Sequence, residues 1–329
     1  TVPWLGQRAL MAKATHAVAR SMGEDYRAMR LEMLRATREL YFQLYLTARS
    51  MEVNRELTGL LEQFRRVALQ KYASGTVGQQ DALQAEVELA MFDHEVVALN
   101  RTRQEIQARL RALLHDDSGR PLPDPPRELP PMEHGAADTT FAFAAAHRPE
   151  LKARQATIEA RRAEVTAAGR MRLPELTLQA RYDRSMDVPE WRSMVGAAIT
   201  LPLWLGKRSA GVREATFELN RAEQERAAAY DSIRAEVEIA QARVHETHHE
   251  LSIIETRVVP ASEHALASVR AGYEANRSDF LALLTAERDL ARARRDRFQA
   301  IAMAHMALAD LERALGLEPE HVQDEEGSR

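Results

Sequence analysis

The chain is predicted to be mainly α-helical, built as two tandem repeats of a long antiparallel coiled-coil hairpin joined to short membrane-type β-strands. Three observations predict this. Separated landmarks recur at one offset, long proline-free stretches carry heptad-like spacing, and two short segments alternate strictly between apolar and polar residues.

The repeat comes first because it sets the frame for everything else. Trp4-Leu5-Gly6-Gln7-Arg8 recurs as Trp204-Leu205-Gly206-Lys207-Arg208, at an offset of 200. Tyr72-Ala-Ser-Gly75 recurs as Tyr273-Glu-Ala-Asn276, and Leu83-Gln-Ala-Glu86 as Leu284-Thr-Ala-Glu287, both at an offset of 201. Leu110 and Leu114 match Leu311 and Leu315 at the same 201. The unit is duplicated at fixed length.

Inside each copy, the stretch from Trp to Tyr reads as one long helix. No proline interrupts Trp4 to Arg120, or Leu203 to Val259. In the first copy Val18, Met22, Tyr26, Met29, Met33, Ala36 and Leu40 read as a seam. In the second, Val212, Ala215, Leu219 and Ala222, then Val237, Ala240, Val244, Thr247, Leu251 and Ile254, do the same. A helix of roughly 60 residues would be about 90 Å long at 1.5 Å per residue, too long for a compact globule. Gly75 and Asn276 suit the left-handed turn that ends it. Asp81, and Ser278 or Asp279, suit the start of the returning helix, and Gly316 suits its end.

The boundaries that follow are 1–8 for the end of a strand of the first copy, 9–114 for its hairpin and 115–146 for a proline-rich linker. The second copy has a helix over 147–173 with Pro149 in its first turn, a strand hairpin over 174–204, a helical hairpin over 205–316 and a tail over 317–329.

In the strand hairpin, Leu176, Leu178, Ala180 and Tyr182 alternate with Thr177, Gln179, Arg181 and Asp183. Val195, Ala197, Ile199, Leu201 and Leu203 alternate with small residues in the second segment. Each approaches the length of a tilted membrane strand, and Tyr182, Trp191 and Trp204 sit at strand ends, where aromatic girdles lie. Two strands alone are not stable, so they need further copies of themselves, which favours a barrel shared between subunits over a soluble hairpin.

Composition narrows the functional classes. Charged residues make up 29% and aromatics 5%, the mix of long helices. With a net charge of −4 and no basic stripe dominating any segment, nothing points to a nucleic-acid partner. The absence of cysteine excludes disulfides and thiolate chemistry. No phosphate-binding loop, dinucleotide turn or nucleophile elbow is present, and no cofactor is implied. His245-Glu246-Thr247-His248-His249 matches the His-Glu-x-x-His zinc peptidase pattern, with His245 and His249 as ligands and Glu246 as base. Against this, Val244, Thr247 and Leu251 hold the seam, which puts both histidines on the solvated face, and no third ligand follows at a known spacing. Met303, His305 and Met306 read as seam residues before they read as a metal relay.

Strand hairpin, Trp/Pro-Leu-Gly-Lys-Arg exit, long helix, Tyr-x-x-Gly turn and returning helix, all occurring twice, resemble the TolC-type outer-membrane efflux proteins. Pro3-Trp4-Leu5-Gly6, Pro189-Glu190-Trp191 and Ser278-Asp279-Phe280-Leu281-Ala282-Leu283-Leu284 are similar to the wording of the heavy-metal branch of CzcC and CusC. The resemblance implies a homotrimer in which each chain gives four strands to one barrel and four helical segments to a periplasmic α-barrel. It implies a passive exit duct in the Gram-negative outer membrane, without enzymatic chemistry, working with a periplasmic adaptor and an inner-membrane pump. The expected adaptor-docking tips carry Tyr72, Gly75, Leu83, Tyr273, Asn276, Arg277 and Leu281, and the expected aperture carries Asp81 and Asp279, for which a plain helix N-cap is the alternative. The lumen would be faced by Thr177, Gln179, Arg181 and Asp183. The resemblance also leads one to expect a signal peptide, a helix and an alternating strand upstream of Thr1, with wording like Arg148-Pro149-Glu150-Leu151. A zinc hydrolase and a soluble coiled-coil scaffold are the competing readings.

Overall fold

A computed structural model describes residues 6–75, 78–120, 122–130, 141–171, 175–182, 193–200, 205–275 and 277–318. In chain order these form α1 (Gln7–Ala73), α2 (Gln80–Leu114), α3 (Phe141–His147), α4 (Pro149–Arg170), β1 (Glu175–Tyr182), β2 (Ser193–Thr200) and α5 (Leu205–Ile253). A π-helical segment (Ile254–Val258), α6 (Val259–Glu274) and α7 (Phe280–Leu315) complete the order. The chain divides into two compact units, residues 1–30 with 141–236, and residues 31–140 with 237–329.

The first unit comprises the start of α1, α3, α4, both strands and the first part of α5. The face of α1 turned inward is Leu10, Ala14, Ala17, Ser21, Glu24 and Ala28, in alternating steps of four and three. This corrects the expected seam by one residue. Val18 is 39% exposed, Met22 66%, Tyr26 70% and Met29 63%. Small residues win the inner face because they let helix axes approach closely, and Ser21 Oγ lies 3.2 Å from Thr157 Oγ1 of α4. α4 buries Leu151, Ala153, Ala156, Ile158, Ala160 and Ala163 and is tied to α5 by Arg154–Glu225 at 3.2 Å and Arg162–Glu223 at 3.0 Å.

Helix begins earlier than the expected end of the linker. Phe141–His147 is already helical, and Phe141 stacks edge-on against Tyr230 of α5 with centroids 4.9 Å apart. Arg148 is the bend before Pro149, with φ −56° and ψ 119°, the extended conformation that a following proline favours. The residue is only 1% exposed. The guanidinium donates from Nε and Nη2 to the two carboxylate oxygens of Glu150, each at 2.9 Å, and from Nη2 to Glu236 at 3.0 Å.

β1 and β2 pair antiparallel from Glu175↔Thr200 to Tyr182↔Ser193. The register sets Leu178 opposite Ala197 and Ala180 opposite Val195, so the apolar rows of the two strands share one face. That face is open: Leu178 is 56% exposed, Val195 88% and Ile199 66%.

In the second unit the seam of α5 is buried where the spacing has it, at Val237, Ala240 and Thr247. The single long helix expected here is interrupted, however, by the π-helical segment. The cause is Pro260, which has no N–H to offer the Thr256 carbonyl and whose ring crowds it, so the helix widens by one residue just before it. The stretch 122–130 lies against α1 and α2, with Leu122 on the Leu44, Ile106 and Leu110 cluster and Tyr45 donating its hydroxyl hydrogen to the Arg127 carbonyl at 3.3 Å. α7 buries an alanine series, including Ala300, Ala304, Ala307 and Ala314, and its end is tied to α1 by Arg35–Asp310 at 3.3 Å and Arg313–Glu32 at 3.0 Å.

Candidate functional site: the hairpin tip

The tip of the second unit is made by the end of α1, the start of α2, the end of α6 and the start of α7. Beneath it lies an apolar cluster of Leu57, Leu61, Ala85, Phe92, Tyr273, Phe280, Leu283 and Leu284. α1 ends as the Tyr-x-x-Gly turn requires: Gly75 is left-handed at φ 70°, and its N–H donates to the Tyr72 carbonyl at 2.9 Å. α7 ends on Gly316 at φ 76°. Asn276 lies outside the described residues.

The two expected aperture carboxylates take different places. Asp279 caps α7, its Oδ1 accepting the Ala282 N–H at 2.7 Å, and is exposed. Asp81 is not a cap. Gln79 occupies that position, and Asp81 sits half-buried in the first turn of α2, where the helix dipole favours an acid. Among the described residues no ion pair or hydrogen bond joins the two.

The docking residues divide likewise. Tyr72 (46% exposed), Leu83 (52%) and Leu281 (47%) present apolar surface, and Arg277 and Gly75 are exposed beside them. Tyr273, expected at the surface by its equivalence to Tyr72, is instead 9% exposed and packed edge-on to Phe280, with ring centroids 6.3 Å apart. Lys71 Nζ lies 4.1 Å from its ring centroid. The Tyr273 hydroxyl is buried without a hydrogen-bond partner among the described residues, and burial, followed by the charge of Asp81, pushes its phenol up. It is a core residue, held in the apolar cluster with Phe280, Leu283 and Leu284 of α7.

Three features escaped sequence reasoning. Gly272 accepts from Arg277 N–H at 2.7 Å and Ser278 N–H at 3.2 Å, and a Cβ there would stand 2.3 Å from Ser278 Oγ. A glycine one residue before the repeated tyrosine was the available signal. Glu287 is 5% exposed, and burial pushes its carboxyl up against the opposing pull of Arg270 and Arg294. Arg288–Glu88 and Arg295–Glu95 form two rungs a heptad apart between α7 and α2.

The other sequence candidates do not converge on chemistry. His245 and His249 are exposed, and among the described residues no group of three or more His, Asp or Glu could hold a metal ion. His305 stacks on Phe42 at 4.9 Å, which gives it and its neighbours Met303 and Met306 the seam role. Thr177 is half-buried and Gln179 exposed, on the face opposite Leu178. For Arg181 and Tyr182 only the strand backbone is described, and Asp183, Trp191 and Trp204 lie outside the described residues.

A sequence-family profile described as "Outer membrane efflux protein" matches residues 143–317. The chain is 23% identical over 258 residues to the "Cobalt-zinc-cadmium resistance protein CzcC" of Cupriavidus metallidurans, covering 76% of this chain and 60% of that relative's length. It superimposes on the outer-membrane channel OprN with a TM-score of 0.86 at 20% identity, covering 96% of this chain and 73% of that one. The Campylobacter jejuni CmeC outer membrane channel gives 0.84 at 16% identity, covering 99% and 72%. CusC, described in terms of folding and transmembrane channel formation, gives 0.83 at 18%, covering 96% and 75%.

Proposed function

Because the chain belongs to the outer membrane efflux protein family, we propose that it forms part of a passive exit duct across the periplasm and outer membrane. The family membership carries the helical-hairpin fold and the outer-membrane location. The observation that carries the duct reading is the β1–β2 hairpin, a two-stranded sheet whose apolar face is exposed. Such a hairpin is marginal in water and needs both an apolar surrounding and further strands at its edges. Copies of the same hairpin supply the strands, in a homotrimer as the resemblance to the TolC-type proteins implies. The Val18, Met22, Tyr26 and Met29 stripe of α1, exposed in the single chain, supports contact with a neighbouring copy.

The tips carrying Tyr72, Leu83, Arg277 and Leu281 dock a periplasmic adaptor, through which an inner-membrane pump supplies the energy. Asp81 and Asp279 line the aperture beside them. The cargo is heavy-metal cations, a reading supported by the similarity to a cobalt-zinc-cadmium resistance protein. A duct needs no bound metal of its own. The full-length gene product in planar bilayers is expected to conduct and to run as a detergent-stable trimer. No conductance together with no trimer would sink the duct. Stoichiometric zinc lost in His245→Ala, together with peptidase activity, would favour a hydrolase instead.

A further inference from the structure

The near-neutral balance of the whole chain hides a local imbalance. Residues 1–23, 165–174 and 191–213 contain no Asp or Glu, although the chain has 49 of them, while they hold Arg8, Lys13, Arg170, Lys207, Arg208 and Arg213 among other bases. The described parts of the three segments meet in the first unit. A cavity of about 860 Å³ is lined by Gln7 and Ala14 of α1, Ala168 and Met171 at the end of α4, and Lys207 and Arg208 at the start of α5, while Glu164, Glu214 and Glu218 line it further from those ends. β1 begins five residues after Arg170, and Lys207 lies seven residues after Thr200, so these bases lie close along the chain to the points where the strands leave the helices.

Arg154 and Arg162 of the same unit pair with Glu225 and Glu223, whereas Arg8, Lys13, Lys207, Arg208 and Arg213 make no ion pair among the described residues. Neither α1 nor α5 has an acid in its first turn, where the helix dipole would favour one; each has a base there instead. The same basic position occurs in both copies, as Gln7-Arg8 and Lys207-Arg208. At 1.5 Å per residue, Arg213 is only about 12 Å along α5 from its start, and Lys13 about 9 Å along α1. That depth matches a bilayer's headgroup layer, roughly 5–8 Å per side, plus the reach of a long basic side chain.

We propose that Arg8, Lys13, Lys207, Arg208 and Arg213 form a basic collar that binds anionic phospholipid headgroups of the periplasmic leaflet where the strands enter the membrane. The proposal rests on the duct reading, since it requires the strands to lie in a bilayer. The collar fixes the height of the barrel in the membrane by charge, leaving the apolar strand face to fix it by hydrophobic match.

The test uses the chain's own tryptophans, Trp4, Trp191 and Trp204, which flank the strands in sequence. The full-length protein is reconstituted into vesicles of brominated phosphatidylglycerol or brominated phosphatidylcholine mixed with unbrominated phosphatidylcholine, and fluorescence quenching gives the relative association of the two lipids. Phosphatidylglycerol is expected to be favoured about fivefold or more, since one base near an anionic surface contributes about that factor. The preference should fall to near unity when Arg8→Gln, Lys13→Gln, Lys207→Gln, Arg208→Gln and Arg213→Gln are combined and in 0.5 M NaCl, but persist in Lys207→Arg and in the exposed control Arg66→Gln. Equal quenching by both lipids, or a preference kept by the fivefold variant, would overturn the collar. Abolition of the preference by millimolar inorganic phosphate would overturn it in favour of a small-anion site. No quenching by either lipid would overturn the duct reading first and the collar with it.

Discussion

Arg148 offers the sharpest test of how the first unit holds together. Its side chain is 2% exposed, while its partners Glu150 and Glu236 have side chains 30% and 39% exposed. The charge is therefore buried on one side of the pair and solvated on the other. Arg148→Ala removes the charge-assisted hydrogen bonds to Glu150 and Glu236 and the packed stem, but both carboxylates can rehydrate. The loss should approach the cost of breaking a buried pair, about 3–5 kcal/mol. Glu236→Gln leaves the two-pronged contact with Glu150 intact and removes one charged partner, for about 1–2 kcal/mol. Arg148→Lys keeps the charge but not the planar fork and should fall between them. At roughly 2 °C per kcal/mol for a chain of this size, Arg148→Ala lowers the melting temperature by about 6–10 °C and Glu236→Gln by about 2–4 °C. Thermal scans of ellipticity at 222 nm give both values, repeated in 1 M NaCl, where a buried pair keeps its contribution. Equal losses in the two variants, or a loss in Arg148→Ala below about 1 kcal/mol, would refute the assignment of Arg148 as a buried anchor.

Three further outcomes follow from the second unit. Gly272→Ala pushes a methyl group against Ser278 and is expected to cost about 1–3 kcal/mol, read as a lower melting temperature and faster proteolysis at the tip. Pro260→Ala restores an N–H to the helix, so hydrogen exchange across Ile254–Val258 should slow; unchanged exchange would show that packing on α7, not proline, holds the π turn. Glu287 has its folded pKa raised by burial, so folding favours its protonated form and ionisation at neutral pH opposes folding. Glu287→Gln should therefore raise the melting temperature at pH 7, with the gain shrinking as pH falls to about 4, near the ordinary Glu pKa; a gain that grows on acidification would contradict the assignment.

Much of this was written in local sequence. Periodicity and the missing prolines set α1 and α2, Gly75 and Gly316 set the left-handed turns that end α1 and α7, and strict alternation placed β1 and β2 with their apolar rows on one face. Each is a property of a few neighbouring residues, and backbone sterics decide it wherever the segment sits. The α5 seam was also legible, with Val237, Ala240 and Thr247 buried at the spacing that predicts them.

The start of α1 carries two stripes, and there the sequence was ambiguous. Hydrophobicity selects Val18, Met22, Tyr26 and Met29, but the chain buries Ala17 and turns Ala14, Ser21 and Ala28 inward. The choice belongs to α4, more than a hundred residues away, whose own alanines allow close approach only to a small-residue face. Tyr72 and Tyr273 make the same point. Repeat equivalence gives them one role, yet one is exposed and the other is core, because only the second copy's tyrosine has Phe280 and Lys71 brought to it within the unit. What the sequence by itself determined was the period, the turns and the duplication; which face is buried, which tyrosine is presented and which arginine is anchored were decided by neighbours that only the tertiary structure brings into contact.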